Sequence, residues 1–107
     1  MSILSLFESD KVNFNSCIIS DNKNISGCLI DVSDCNVTFD GCTIRNNAKA
    51  AGYAENTWFI HTYSNMPSNL FFKNSEISNN KFDLLKNEFI SATFINCKKS
   101  ENGFKVE

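Results

Sequence analysis

Apolar and polar residues alternate along this chain in short runs. Each run is interrupted by two mostly polar residues before the alternation resumes. Four segments show this without gaps: Val12 to Asn22, Val37 to Asn47, Leu70 to Asn80 and Ala92 to Asn102. Their common pattern is apolar-x-Phe-x-x-Cys/Ser-x-Ile-x-x-Asn. In the second segment Val37 and Phe39 share one face and Thr38 takes the other. Asp40-Gly41 then turns the chain, and Cys42 and Ile44 return to the first face. A period of two is the strand period, because successive side chains point to opposite sides of a pleated backbone. Each segment is therefore predicted to form a short strand, a sharp bend and a second short strand. The bends fall at Asn15-Ser16, Asp40-Gly41, Lys73-Asn74 and Ile95-Asn96. Asn, Gly, Ser and Asp bend the backbone readily.

A third strand fits between the repeats, over Cys28 to Val32, Trp58 to Tyr63, Phe82 to Leu85 and Phe104 to Val106. Cys28, Ile30 and Val32 are expected on one face. The shared positions recur after 25, 33 and 22 residues, with Phe at 14, 39, 72 and 94 and Asn at 22, 47, 80 and 102. Three short strands repeating at that interval predict a parallel β-solenoid, in which stacked coils bury a core that no single coil encloses. Like then stacks on like: Phe14/Phe39/Phe72/Phe94, Cys17/Cys42/Ser75/Cys97 and Asn22/Asn47/Asn80/Asn102. A five-residue rhythm at Phe72, Ile77 and Phe82 would suit a pentapeptide-repeat solenoid instead, but it does not persist through 26–37 or 48–69.

Composition supports the same class. The chain has 107 residues, with sixteen Asn, thirteen Ser and ten Phe against four Gly and one Pro. That length is room for a single domain over 1–107. Ten basic against twelve acidic side chains leave a net charge of −2. This argues against a nucleic-acid partner, which asks for a basic face. No apolar run reaches the length of a membrane span. Five cysteines cannot all pair internally, and no C-x-x-C pair accompanies the single His, so no metal site is expected.

The repeat resembles the right-handed parallel β-helix, or pectate-lyase-like, superfamily. It is also similar to the repeats of polymorphic outer-membrane and surface proteins. The resemblance covers essentially the whole chain. It implies an all-β, right-handed parallel β-helix of about four coils with one longer insertion coil, and a turn ladder of stacked Asn, a role that falls here to Asn22, Asn47, Asn80 and Asn102. It does not select a function, because the superfamily hosts lyases, hydrolases, adhesins, spikes and structural modules.

The longest coil carries a loop insertion at 48–69, holding Tyr53, Trp58, His61, Tyr63 and Pro67. Insertions in a solenoid are places where binding residues gather. Trp58, His61, Tyr63, Asp31 and Asp83 are accordingly the candidate ligand-binding set, with a glycan as the ligand class. The bland alternative makes Ala48–Ala54 a short helix or loop and puts Trp58 and Ile60 in the core. Asp31, His61, Asp83 and Lys105 are expected to face outward on neighbouring coils, at spacings that would permit acid–base work. No family catalytic motif matches, so no catalytic residue and no cofactor is assigned. Cys17, Cys42 and Cys97 read as buried, inert thiols. Asn24-Ile-Ser26 and Asn36-Val-Thr38 are glycosylation sequons that matter only in a secreted chain.

Residues 3–8 look like the last strand of a preceding coil and residues 103–107 like the first strand of a following one. No cap helix is apparent at either end, so the end coils are expected to be interaction surfaces for protein partners or for self-association. The resulting expectation is a non-catalytic structural and interaction module within a larger surface-exposed or secreted assembly. A carbohydrate-binding or polysaccharide-processing fragment is the alternative, and an intracellular scaffold a third.

Overall fold

The computed structural model describes residues 2–52 and 55–106. Twelve short strands wind into a parallel β-solenoid of about four turns, with no helix among the described residues. The first coil contains β1 (Leu4–Phe7), β2 (Val12–Asn15) and β3 (Ile18–Ser20). The second contains β4 (Cys28–Ser33), β5 (Asn36–Asp40) and β6 (Thr43–Arg45). The third contains β7 (Trp58–His61), β8 (Ser68–Lys73) and β9 (Glu76–Ser78). The fourth contains β10 (Leu84–Lys86), β11 (Ile90–Ile95) and β12 (Lys98–Ser100). Three four-stranded sheets result: β1-β4-β7-β10, β2-β5-β8-β11 and β3-β6-β9-β12, all paired parallel.

The stacking expected from the repeat is present. Phe14, Phe39, Phe72 and Phe94 are register partners, with ring centroids 5.0, 4.9 and 4.8 Å apart and ring planes within 13° of parallel. The asparagine column is one hydrogen-bonded ladder. Asn22 Nδ2 donates to Asn47 Oδ1 at 2.9 Å, Asn47 Nδ2 to Asn80 Oδ1 at 2.9 Å, and Asn80 Nδ2 to Asn102 Oδ1 at 3.1 Å. The second N–H of Asn47, Asn80 and Asn102 reaches back to the carbonyl of Ile19, Ile44 or Ile77 in the coil before. Asn47 and Asn80 are fully buried and thus close corners that water cannot reach, while Asn22 and Asn102 end the ladder half-buried.

Both bends are left-handed in every coil. Ser16, Gly41, Asn74 and Asn96 have φ of 56°, 66°, 51° and 53°. At the next corner Asp21, Asn46, Asn79 and Glu101 have φ of 59°, 59°, 53° and 56°. Gly41 takes this conformation without a Cβ penalty, and Asn is the side chain that tolerates it best. Amides at the bend continue the inter-coil ladder, for example Ser16 N to Asp40 O and Gly41 N to Lys73 O.

The core is filled by Val37, Phe39, Cys42, Ile44, Leu70, Phe72 and Ile77 from the second and third coils, with Leu29, Ile30, Phe59 and Ile60 from the first sheet. Strict alternation fails in that sheet. Leu29 and Ile30 are consecutive yet both belong to the core cluster, as do Phe59 and Ile60. Cys28 leaves the face expected for it. It is fully buried but outside the apolar cluster, beside Asp31 and Tyr63.

One other expectation is corrected, and a choice left open for 48–54 falls to the loop over its described residues. Residues 104–106 form no fifth-coil strand. Phe104 packs on Phe59 with centroids 5.0 Å apart, whereas a strand paired outside β10 would lie over Lys86. The described part of 48–54 is not helical: Ala48 and Lys49 form isolated parallel bridges to Lys81 and Ile25, and Ala51-Gly52 is a turn. Tyr53 and Ala54 lie outside the described residues.

Candidate functional site

β4 and β7 run side by side with Asp31 opposite His61. The connections before and after β7, residues 48–57 and 62–67, are the extra length of the third coil. β7 itself carries Trp58 and His61, and the connection after it carries Tyr63. The rings of Trp58 and His61 lie 5.0 Å apart, and those of His61 and Tyr63 meet edge-on at 4.5 Å. The structure thus brings Asp31, Trp58, His61 and Tyr63 together. Cys28 joins them through a hydrogen bond with Tyr63 and the field of Asp31.

This patch is polar and incompletely satisfied. Asp31 is only 8 % exposed. Its Oδ1, the Nδ1 of His61 and the Oδ1 of Asn87 are buried with no hydrogen-bond partner. Such groups are uncommon in folded proteins, because each forfeits its bonds to water. Burial raises the Asp31 carboxyl above its ordinary range, with the nearby imidazole pulling the other way. Burial lowers His61, and Asp31 opposes that shift. The Cys28 thiol is pushed up to about 11, chiefly by burial and then by Asp31, so it is a protonated, unreactive thiol.

Asp83 stands apart from this group. It precedes β10 and is held by Lys49 Nζ at 2.6 Å and by Thr57 N and Oγ1 at 3.0 Å each. The Lys49 contact, followed by Thr57, holds its carboxyl below the usual range. Asp83 thus anchors the 48–57 connection. Lys105 falls beyond the last strand. The expected row of four charged groups on one sheet reduces to the Asp31–His61 pair. Asn87, one register step on from Lys86–Ile60, extends that pair along the sheet. Neither Cys28 nor Asn87 follows from the repeat, because the break in alternation that turns Cys28 outward has no sequence signal. Among the described residues, no group of three His, Cys, Asp or Glu is placed to hold a metal ion.

Cys17, Cys42 and Cys97 occupy one column with Ser75 and are unpaired. Cys42 Sγ donates to Phe14 O and Cys97 Sγ to Phe72 O, both at 3.2 Å. Ser75 Oγ accepts from Cys42 N at 3.0 Å. Only Cys42 of the three is buried as expected, and burial raises its thiol; Cys17 and Cys97, in the first and fourth coils, are half-buried because each has a neighbouring coil on one side only.

The two ends of the solenoid form the other candidate surface. Leu4, Leu6, Val12, Phe14, Cys17 and Ile19 of the first coil are only partly buried. Asn22 begins the amide ladder, with no further Asn beneath its Oδ1. At the other end Phe104 covers Phe59, and Lys99 Nζ lies 5.9 Å from the centroid of Phe94. No helix is long and apolar enough to cross a membrane among the described residues. Compared with known proteins, the chain matches no protein-family model and no curated protein.

Proposed function

We propose that this chain is a non-catalytic structural and interaction module, a short solenoid that meets other protein surfaces through its end coils inside a larger surface-exposed or secreted assembly. The observation that supports this most is the first coil. Its six core-column side chains and the free edges of three strands have no described residue laid over them. An uncovered β edge is a template for further pairing, and folded proteins ordinarily blunt or cover it. The resemblance to pectate-lyase-like and surface-protein repeats belongs to this reading. The test is association: native mass spectrometry and light scattering of the chain, alone and with candidate partners. Exclusive monomer under all conditions, with no partner engaging an end coil, overturns it.

A carbohydrate-binding role is favoured by one observation, the Trp58–His61–Tyr63 aromatic group beside the buried, unpartnered Asp31 oxygen. Aromatic faces with a few placed polar groups are how small-molecule sites are built. Trp58 is the single Trp, so its fluorescence reports directly on this patch. A saturable change with an oligosaccharide, lost in both Trp58→Ala and Asp31→Asn, favours that role over the first. The five unpaired thiols favour a reducing compartment, which is the setting of the intracellular-scaffold alternative.

A further inference from the structure

The two ends are chemically unlike. Following the register through the first sheet, Leu4, Ile30 and Ile60 are succeeded in the fourth coil by Lys86. In the third sheet Ile19, Ile44 and Ile77 are succeeded by Lys99. Two columns that carry apolar side chains through three coils therefore finish on ammonium groups. A coil that continued those columns would lay apolar side chains against both ammonium groups, and burying a charge away from water is costly. A charge placed at an inward position is a known way of stopping a sheet edge from pairing. Phe104 closes a further part of the same end. The first coil has no such device: its positions in these columns are Leu4 and Ile19.

We infer that the first-coil face binds the same face of a second copy about a two-fold axis. This rests on the interaction-module reading and names its partner. Head-to-tail stacking is blocked by Lys86 and Lys99, so among contacts between copies the open face is left to meet itself. The size fits. Four coils stacked at roughly 4.8 Å account for the shortest dimension of the 36 × 29 × 21 Å molecule, so the end presents the 36 × 29 Å section. An ellipse of those axes covers roughly 800 Å² with the longer third coil included, an upper bound for the first-coil face that is on the order of what each partner contributes to a standard stable interface. A two-fold axis sets the edge strands antiparallel across the contact, a pairing that satisfies backbone groups on both sides. The rim does not oppose it. Glu8, Asp10 and Asp21 alternate with Lys11 and Lys23, a nearly balanced set.

The experiment is sedimentation velocity on the full chain over a wide concentration range, with three variants. Wild type is expected to sediment at twice the 12.0 kDa chain mass. Ile19→Lys reproduces at the first coil what Lys99 does at the fourth, and is expected to give a monomer with an unchanged far-UV spectrum. Leu6→Lys provides a second disruption should Ile19→Lys unfold the coil. Lys86→Leu/Lys99→Ile opens the second end and is expected to convert dimers into chains that lengthen with concentration. A wild-type dimer that neither first-coil variant dissociates, or a monomeric wild type at all concentrations, overturns the inference. A complex with a different protein, lost in Ile19→Lys and formed by a chain that never self-associates, overturns the second-copy assignment while leaving the interaction-module reading intact. Absence of both kinds of complex removes that reading as well.

Discussion

Asn80 is fully buried and leaves nothing of its amide unused. It accepts from Asn47 and donates to Ile44 O and to Asn102. Asn80→Ala removes a buried partner from Asn47 Nδ2 and from Ile44 O and one of the two donors to Asn102 Oδ1. It is expected to cost about 2–4 kcal/mol by urea denaturation, against about 1 kcal/mol for Asn22→Ala at the end of the ladder. Asp31 acts in the opposite sense. Its folded carboxyl has the higher proton affinity, so its contribution to stability falls as pH rises from the ordinary Asp range through the raised value. Asp31→Asn is therefore expected to stabilise the fold at neutral pH by on the order of 1 kcal/mol, with less gain near pH 4. His61, lowered by burial, contributes with the other sign, gaining stability as pH rises toward the ordinary His value. A residue whose removal stabilises the fold is retained for something other than folding, and this comparison tests whether Asp31 is one. Gly103 is a packing glycine: a Cβ there would stand 2.6 Å from Phe82 O. Gly103→Ala is expected to displace residues 103–106 and lower the melting temperature.

At the scale of the element, the strands are too short to persist alone, and the bends decide where they stop. Ser16, Gly41, Asn74 and Asn96 all sit in the left-handed region. Gly41→Ala meets no steric block, the nearest side-chain atom being Ser16 Oγ at 3.6 Å, so its cost is conformational and expected near 1 kcal/mol. Ser16→Gly relieves the same strain and is expected to be neutral or stabilising by up to about 1 kcal/mol. Guanidinium titration of the pair, with opposite signs, checks the role of the bend apart from its contacts. The strands differ in legibility for a physical reason. In the second and third sheets one face packs inward and one meets solvent, so period two was plain in the sequence. In the first sheet Leu29–Ile30 and Phe59–Ile60 enter the core as consecutive residues, and β4 is buried across both faces through Val32. An unbroken apolar run carries no phase, so the facing of Cys28 was not readable.

In the whole molecule each coil touches only its neighbours, and stability is expected to be greatest where a coil has two of them. Amides of β5, β6, β8 and β9 are predicted to exchange most slowly with deuterium, and those of β1–β3 to exchange faster at low protein concentration. Protection of β1–β3 that rises with concentration would report pairing at the first coil. The ends also separate what the repeat displays from what it hides. The fourth repeat carries Lys99 where its predecessors have Ile, and that departure is visible in the bare alignment. Its meaning as an end stop needs the register, and so does the matching role of Lys86, which pairs with Ile60.

Sequence alone determined the winding: the strand period, the bends and the recurrence of Phe and Asn oblige like residues to stack, since no other arrangement buries so many short apolar runs at once. It also placed the aromatic residues of the third coil and the asparagine ladder. Only the tertiary structure decided which polar groups ended up buried without partners, that Asp83 braces a connection instead of joining Asp31, and that Lys86 and Lys99 stand in register with Ile60 and Ile77. Those outcomes depend on register and burial between residues far apart in the chain, and local alternation carries no information about either.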